Sequence, residues 1–306
     1  MPQYLNTEIV LDTPVYSLRH AKGNGDACFI IPPHAGRHGS VVQNLIECAQ
    51  AHRDVYVFDL KPATQDTKHV SIGDLCVAIS DCIGFIGYDV DLVGVCQGGW
   101  LSAIFSALYP DSIKSLALMA APIDIQASPD NTITKFCDNA SEAYFRLAVA
   151  STLGVQSGLM QWLAFALSNP MEVFIDRWSK LAWAIILEDE ETVEKLKRNN
   201  EWYDSPQDLS GAWYLQAIED LFLANKLIEG LMVVHGKKVD LKHINAPVFL
   251  YAGGKDEITS TEQLFGISKA LNVPVEEILL EDAGHTKVFT GKKELKIFEE
   301  TFLVDK

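Results

Sequence analysis

Basic charge is scarce in this chain: 25 Lys and Arg face 41 Asp and Glu, for a formal net charge of −16 at pH 7. Nucleic-acid binding and attraction to anionic lipid both rest on clustered positive charge, so neither partner is expected. Long apolar runs are missing as well. The stretch LAWAIIL (181–187) is representative, and it falls far short of the roughly 20 residues that a membrane-spanning helix takes. The opening MPQYLNTEIVLDTPVYSLRH has no basic segment leading into an apolar one. No secretory signal is therefore expected, and the chain reads as cytoplasmic. Six cysteines, at 28, 48, 76, 82, 96 and 137, include no CxxC pair, a pattern that favours reduced thiols over disulfides or structural zinc. A phosphate-cradling loop, a dinucleotide fingerprint and a metal-ligand cluster are likewise missing, so no cofactor and no metal are expected.

What the chain has is an alternation of short buried runs with helical stretches. ACFIIPP (27–33), VYVFDL (55–60), VDLVGV (90–95) and SLALMAA (115–121) read as strands. Between them lie SVVQNLIECAQAH, a helix with Ser40 as its expected cap, an amphipathic stretch from about Val70 to Ile86, and a helix beginning near Gly98. A helix on every crossover implies a mostly parallel, doubly wound α/β sheet. The alternation stops after APID (121–124) and resumes with APVFLYAGGKDEIT (246–259), a helix near Thr261 to Leu271, EEILLEDAGH (276–285) and a last helix from about Lys292 to Phe302. From about Ile125 to Gly230 the chain shows no convincing strand and is rich in Trp, Phe, Leu and Ala, including Trp162, Phe165, Phe174, Trp178, Trp183, Trp202, Trp213 and Phe222. The expected organisation is a core of residues 1–124 and 231–306 with a helical cap inserted at 125–230.

Chemistry concentrates at three strand ends. LVGVCQGGW places Cys96 between Gly94 and Gly98 where a strand breaks into a helix, the signature of a nucleophile elbow. Asp256 follows the strand VFLYA, and His285 follows EILLE. The chain order nucleophile, acid, histidine is that of the α/β-hydrolase fold, which builds its site where strands end. In these roles Cys96 attacks an acyl carbonyl, and His285 takes the thiol proton and later activates water or another acceptor. Asp256 holds the imidazole in the useful tautomer. The backbone N–H of Gln97 supplies one oxyanion donor, and Ala35 or His34, in the loop PPHAGRHGS, supplies the other. His38 and Trp100 are the candidates for substrate contact. Asp124 in APID also follows a strand and is the rival acid. Cys76 and Cys82 fall on the apolar face of a helix and Cys28 heads a strand, which are positions for packing.

GVCQGG, IIPPHAGRHGSVVQNL with VYVFDL, LMAAPIDIQASP, and the run from SGAWYLQAIEDLFLANKLIEG through VVHGKKVDLKHI and KDEIT to GHTKVFTGKKE together resemble intracellular polyhydroxyalkanoate depolymerases. More loosely, they resemble the related polyhydroxyalkanoate synthases. The resemblance runs from about residue 27 to 302 and is weakest in the helical insertion. It implies a Cys–Asp–His triad at Cys96, Asp256 and His285, a polyester or oligoester of 3-hydroxyalkanoates as substrate, and a granule surface as a candidate partner. The tail GHTKVFTGKK is closer to the depolymerase pattern, and the paired glycines of the elbow are closer to the synthase pattern. A depolymerase is the expected activity. The alternatives are a synthase that uses 3-hydroxyacyl-CoA and a small-molecule esterase or thioesterase. The aromatic residues of the insertion either line a channel for the polyester or form the cap's own core.

Overall fold

The computed structural model describes residues 3–87, 89–131, 134–135, 141–168, 171 and 175–304. Cys137 and Phe174, and the side chain of Phe165, lie outside the described residues. In chain order the strands are β1 (Glu8–Asp12), β2 (Tyr16–Ala21), β3 (Ala27–Ile31), β4 (Asp54–Leu60), β5 (Val90–Val95), β6 (Ile113–Met119), β7 (Val155–Gln156), β8 (Leu209–Ser210), β9 (Val233–Val234), β10 (Lys237–Lys238), β11 (Val248–Gly253) and β12 (Val275–Leu280). The helices are α1 (Gln43–Gln50), α2 (Ile72–Ile86), α3 (Gln97–Leu108), α4 (Glu142–Ser151), α5 (Gly158–Ser168), α6 (Arg177–Ile186), α7 (Glu190–Tyr203), α8 (Gly211–Gln216), α9 (Thr261–Phe265), α10 (Lys287–Thr290) and α11 (Lys292–Phe298).

Eight strands make one sheet in the order β1-β2-β4-β3-β5-β6-β11-β12, antiparallel at the β1–β2 and β2–β4 pairs and parallel from β4 onward. The sheet is the mostly parallel one expected from the alternating pattern, and the protein has the α/β-hydrolase fold expected from the order of Cys96, Asp256 and His285 at its strand ends. Strands buried on both faces read as continuous apolar runs, and successive side chains sort to opposite layers. Phe29, Ile31, Leu92, Leu116, Leu118 and Leu250 pack under α2 and α3, whereas Cys28, Ile30, Val93, Val95, Met119 and Tyr251 pack under α1, α10 and α11. The register sets Ile31 beside Gly94, Val95 beside Met119, and Gly253 beside Leu280. The loops after β3, β5, β11 and β12 consequently emerge along one edge.

Three local expectations need correction. The hairpin β1–β2 was not expected from the sequence: β1 is a partly exposed edge strand, so its EIVLD lacks the fully buried run that marks the inner strands. Ser40 does not cap α1. Residues Gly39–Val42 form a 3₁₀ turn capped by His38, whose Nδ1 accepts from the Ser40 N–H at 3.1 Å, and α1 starts only at Gln43. The segment 125–230 also contains strand, since β7 and β8 pair antiparallel over two residues. Its helices carry exposed apolar side chains, among them Leu147, Trp178, Trp183 and Ile186, and Leu187 just after α6 is exposed too, whereas Trp213 is buried.

Candidate active site

β5 is buried along its whole length and runs directly into α3. The ladder continues through Cys96, whose N–H donates to the Met119 carbonyl at 2.8 Å, and the turn closes with the Gly99 N–H on the Cys96 carbonyl at 2.9 Å. Between these bonds Cys96 takes φ 52° and ψ −115°, a region that residues with a Cβ avoid. The neighbours must be small for this turn to form. A Cβ on Gly94 would lie 2.7 Å from the Gly98 carbonyl oxygen, and one on Gly98 would run into the carbonyl oxygens of Ile31 and Pro32. The elbow and the end of β3 are thus pressed together, which brings the loop after β3 to Cys96.

Asp256 sits in the turn after β11. Its Oδ1 accepts from the backbone N–H groups of Ile258 and Thr259, both at 2.9 Å, and its Oδ2 accepts from His285 Nδ1 at 2.8 Å. The carboxylate side chain is fully buried. It is held by three donors, a compensation that a buried carboxylate requires. His285 follows β12, neighbour of β11, so the pair meets because their strands do. With Nδ1–H committed to Asp256, Nε2 is the ring nitrogen left to serve Cys96, whose charge acts on the imidazole. Burial pulls the His285 value down, but the charge on Cys96 and the hydrogen bond that the ring donates to the Asp256 carboxylate outweigh it and raise the ring to about 10. By contrast, burial pushes the thiol of Cys48 up to about 11 and those of Cys76 and Cys82 up to about 12.

The rival acid is placed elsewhere. Asp124 accepts from Asn225 Nδ2 at 2.8 Å, and its N–H donates to the Gln263 carbonyl at 2.8 Å. Gln97 is the first residue of α3, so its N–H has no partner within the helix. His34 is buried with its ring edge-on to Phe58 and Trp213, at 6.2 and 6.1 Å between centroids. Burial lowers His34 to about 3, so its ring stays neutral, and its Nε2 has no hydrogen-bond partner among the described residues. Trp100 is fully buried and stacks on Trp213 at 5.6 Å. The His38 ring lies 3.8 Å from Asp59 and 5.1 Å from the Tyr4 ring, and its carbonyl accepts from Trp202 Nε1 at 2.6 Å. Ala35 lies between His34 and Gly36, whose carbonyl accepts from the Gln207 N–H at 2.7 Å.

Sequence reasoning missed Arg37, Trp202, Tyr203 and Gln207, which meet around this loop. Their separation of more than 160 positions leaves no local signal of the contact. Among the described residues no group of three or more His, Cys, Asp or Glu side chains is arranged to hold a metal ion, and no helix is long and apolar enough to cross a membrane.

Comparison with known proteins bears on the same elements. The poly(3-hydroxyalkanoate) polymerase subunit PhaC of Haloferax mediterranei is 30% identical over 257 residues, which cover 80% of this chain and 50% of that protein. The protein of the same name from Allochromatium vinosum is 27% identical over 264 residues, 84% of this chain and 71% of its own length. The chain thus spans about half the length of the Haloferax relative. Among solved structures, a monoacylglycerol lipase from Paleococcus ferrophilus superposes with a TM-score of 0.60 at 17% identity, covering 93% of this chain and 96% of the lipase, a likeness of fold. The family described as "PHB de-polymerase C-terminus" matches residues 120–299, a range that takes in Asp256 and His285. That range is well over half of the chain, and the chain belongs to this family.

Proposed function

We propose that the protein is a cysteine-dependent acyltransferase acting on 3-hydroxyacyl groups, with a 3-hydroxyacyl-CoA as donor and the hydroxyl end of a polyester or oligoester as acceptor. The observation that carries this reading is the thiol of Cys96 on a strained strand-to-helix elbow, electrostatically coupled to a histidine that Asp256 orients at 2.8 Å. Cys96 attacks the donor carbonyl, the C–S bond to coenzyme A breaks, and the imidazolium of His285 protonates the departing thiolate. The neutral ring then takes the proton of the acceptor hydroxyl as its oxygen attacks the thioester, and the proton returns to the Cys96 sulfur as that bond breaks. The N–H groups of Gln97 and of Ala35 or His34 stabilise both tetrahedral intermediates. Coenzyme A is a substrate here, and the chemistry needs no cofactor.

The direction favoured here differs from the depolymerase expected from the tail of the sequence. The curated relatives bear polymerase names, which supports transfer. Hydrolysis is the second reading, supported by the family's description, and it differs only in that water takes the acceptor's place. In either direction residues 125–230 act as a cap over a core of 1–124 and 231–306. Its exposed apolar side chains, Trp178, Trp183, Ile186 and Leu187 among them, suit contact with a polyester surface.

The test is incubation with 3-hydroxybutyryl-CoA, and separately with amorphous poly(3-hydroxybutyrate) granules, following free coenzyme A, polymer and soluble 3-hydroxybutyrate by mass spectrometry. Coenzyme A release with polymer growth, lost in Cys96→Ala, is the expected result. Release of 3-hydroxybutyrate from granules without growth makes the protein a depolymerase. Inactivity on both substrates refutes both readings and leaves short esters as the class to try.

A further inference from the structure

The loop after β3 is gripped by the end of α7 and the strand of chain that follows it. The Trp202 indole N–H donates to the His38 carbonyl at 2.6 Å, and Arg37 Nε donates to the Tyr203 carbonyl at 3.2 Å. The Arg37 guanidinium lies 4.4 Å from the Tyr203 ring centroid and 5.6 Å from that of Trp202. Arg37 also bridges Pro206, and the Gly36 carbonyl accepts from the Gln207 N–H. Arg177 lies 4.4 Å from the same Tyr203 ring and binds both carboxylate oxygens of Asp204 at 2.8 Å, so α6 steadies the gripping residues.

Three consecutive residues, Gly36, Arg37 and His38, thus have their backbone or side chains tied to residues 202–207. The glycine adopts φ 72° at that point, with the Gln161 side chain and the Gln207 carbonyl beside it. Beyond Gln207 the chain is anchored to the core: the Ala63 N–H donates to the Asp208 carbonyl at 2.9 Å, and Ser210 Oγ lies 2.7 Å from the carbonyls of both Lys68 and Val70, to which its single O–H donates in turn. Any swing of α7 away from the core about this anchor breaks the contacts to residues 36–38 first. Residues 34 and 35, the proposed source of the second oxyanion donor, directly precede the gripped stretch.

From this geometry we infer that Trp202 and Arg37 latch the oxyanion loop to the cap, so that the hole for the tetrahedral intermediate is assembled only when the cap is seated. This rests on the acyl-transfer reading given above. Trp202 is then a positioning residue, acting through the His38 carbonyl, and Arg37 is its partner within the loop. The physical basis is preorganisation: an oxyanion donor contributes only if it is held where charge develops, and losing one outright costs about 10²–10³ in kcat.

The test is Trp202→Phe, which removes the indole N–H and keeps a ring beside Arg37. Three readouts are needed: kcat and KM for 3-hydroxybutyryl-CoA, the alkylation rate of Cys96 by iodoacetamide, and amide hydrogen exchange over residues 34–38. Alkylation displaces iodide at a saturated carbon and develops no oxyanion, so it reports the thiol and His285 without the hole. The expected result is kcat lower by roughly 10- to 100-fold, below the loss of a whole donor, with KM within about two-fold, unchanged alkylation and faster exchange at 34–38. Unchanged exchange overturns the inference, and so does a fall in alkylation that matches the fall in kcat, because the damage then lies at the thiol. Arg37→Lys keeps the charge and loses the planar group, and it should reproduce the pattern should the Phe variant fold poorly. If the wild-type protein turns over no acyl donor, the functional reading fails, while exchange and alkylation still decide the latch.

Discussion

Cys96 is the position where the proposed chemistry and the backbone make opposite demands, and replacing it by glycine and by alanine separates them. Both variants remove the thiol and should be inactive, so their difference in stability reports the backbone alone. At φ 52° and ψ −115° a residue with a Cβ is strained by about 1–3 kcal/mol. Glycine escapes that strain and gives back about 0.5–1 kcal/mol through the greater freedom of its unfolded chain. Cys96→Gly should therefore be more stable than Cys96→Ala by about 1 kcal/mol. Urea denaturation followed by circular dichroism measures the difference as a shift in midpoint at constant slope. An ordinary helix start would give the reverse sign, because Ala→Gly costs about 1 kcal/mol within a helix. A glycine variant equal to or weaker than the alanine variant would refute the strained elbow, and with it the reason for placing the nucleophile at this position.

Two further outcomes test the residues around the thiol. Asp256→Asn should lower kcat by about 10⁴, the loss seen when a triad acid stops holding the histidine tautomer in serine enzymes; Asp124→Asn should leave kcat within about three-fold, and the reverse ranking in steady-state assays would reassign the acid. The His285 ring, raised to about 10, should stay protonated through the neutral range and lose its proton only as the pH rises through that value. In Cys96→Ala, burial still pulls the ring down while the charge that raises it most is gone, so nitrogen-15 NMR of the imidazole should show titration at lower pH; an unchanged profile would mean that Cys96 does not pair with the ring.

The parts of the fold that could be read in advance are those where chemistry and burial act locally. Inner strands such as β5 are buried on every residue and stand out as apolar runs, and the elbow declares itself because Gly94 and Gly98 have no room for a Cβ. β1 is half-exposed and polar at both ends, so nothing in its composition separates it from a loop. Asp124 and Asp256 look alike in sequence, each following a strand. What distinguishes them is that β11 lies next to β12 in the sheet, which aims Asp256 at His285, while Asn225 occupies the Asp124 carboxylate. The grip of Trp202 and Arg37 on the loop after β3 joins residues whose adjacency depends on how the helices between β6 and β11 return to the core. No spacing rule reaches across 164 positions.

That grip also bears on why one thioester should pass to an alcohol and not to water. If the oxyanion loop is held only under a seated cap, the first tetrahedral intermediate forms after the acyl donor is enclosed, and the acceptor sharing the closed site is at hand when the thioester appears. Bulk water reaches the thioester when the cap lifts, at which moment the contacts at Gly36, Arg37 and His38 are broken and the donor preceding them is slack. Attack by water then meets a hole that is poorly ordered, and each misplaced donor costs it rate. Closure thus favours an enclosed acceptor over solvent through the geometry of the transition state, without any difference in the nucleophile, the base or the acid. On the proposed acyl-transfer reading, the same Cys96, His285 and Asp256 would serve polymerisation with the latch closed and hydrolysis with it loose, so loosening it should move the product ratio from polymer toward free 3-hydroxybutyrate.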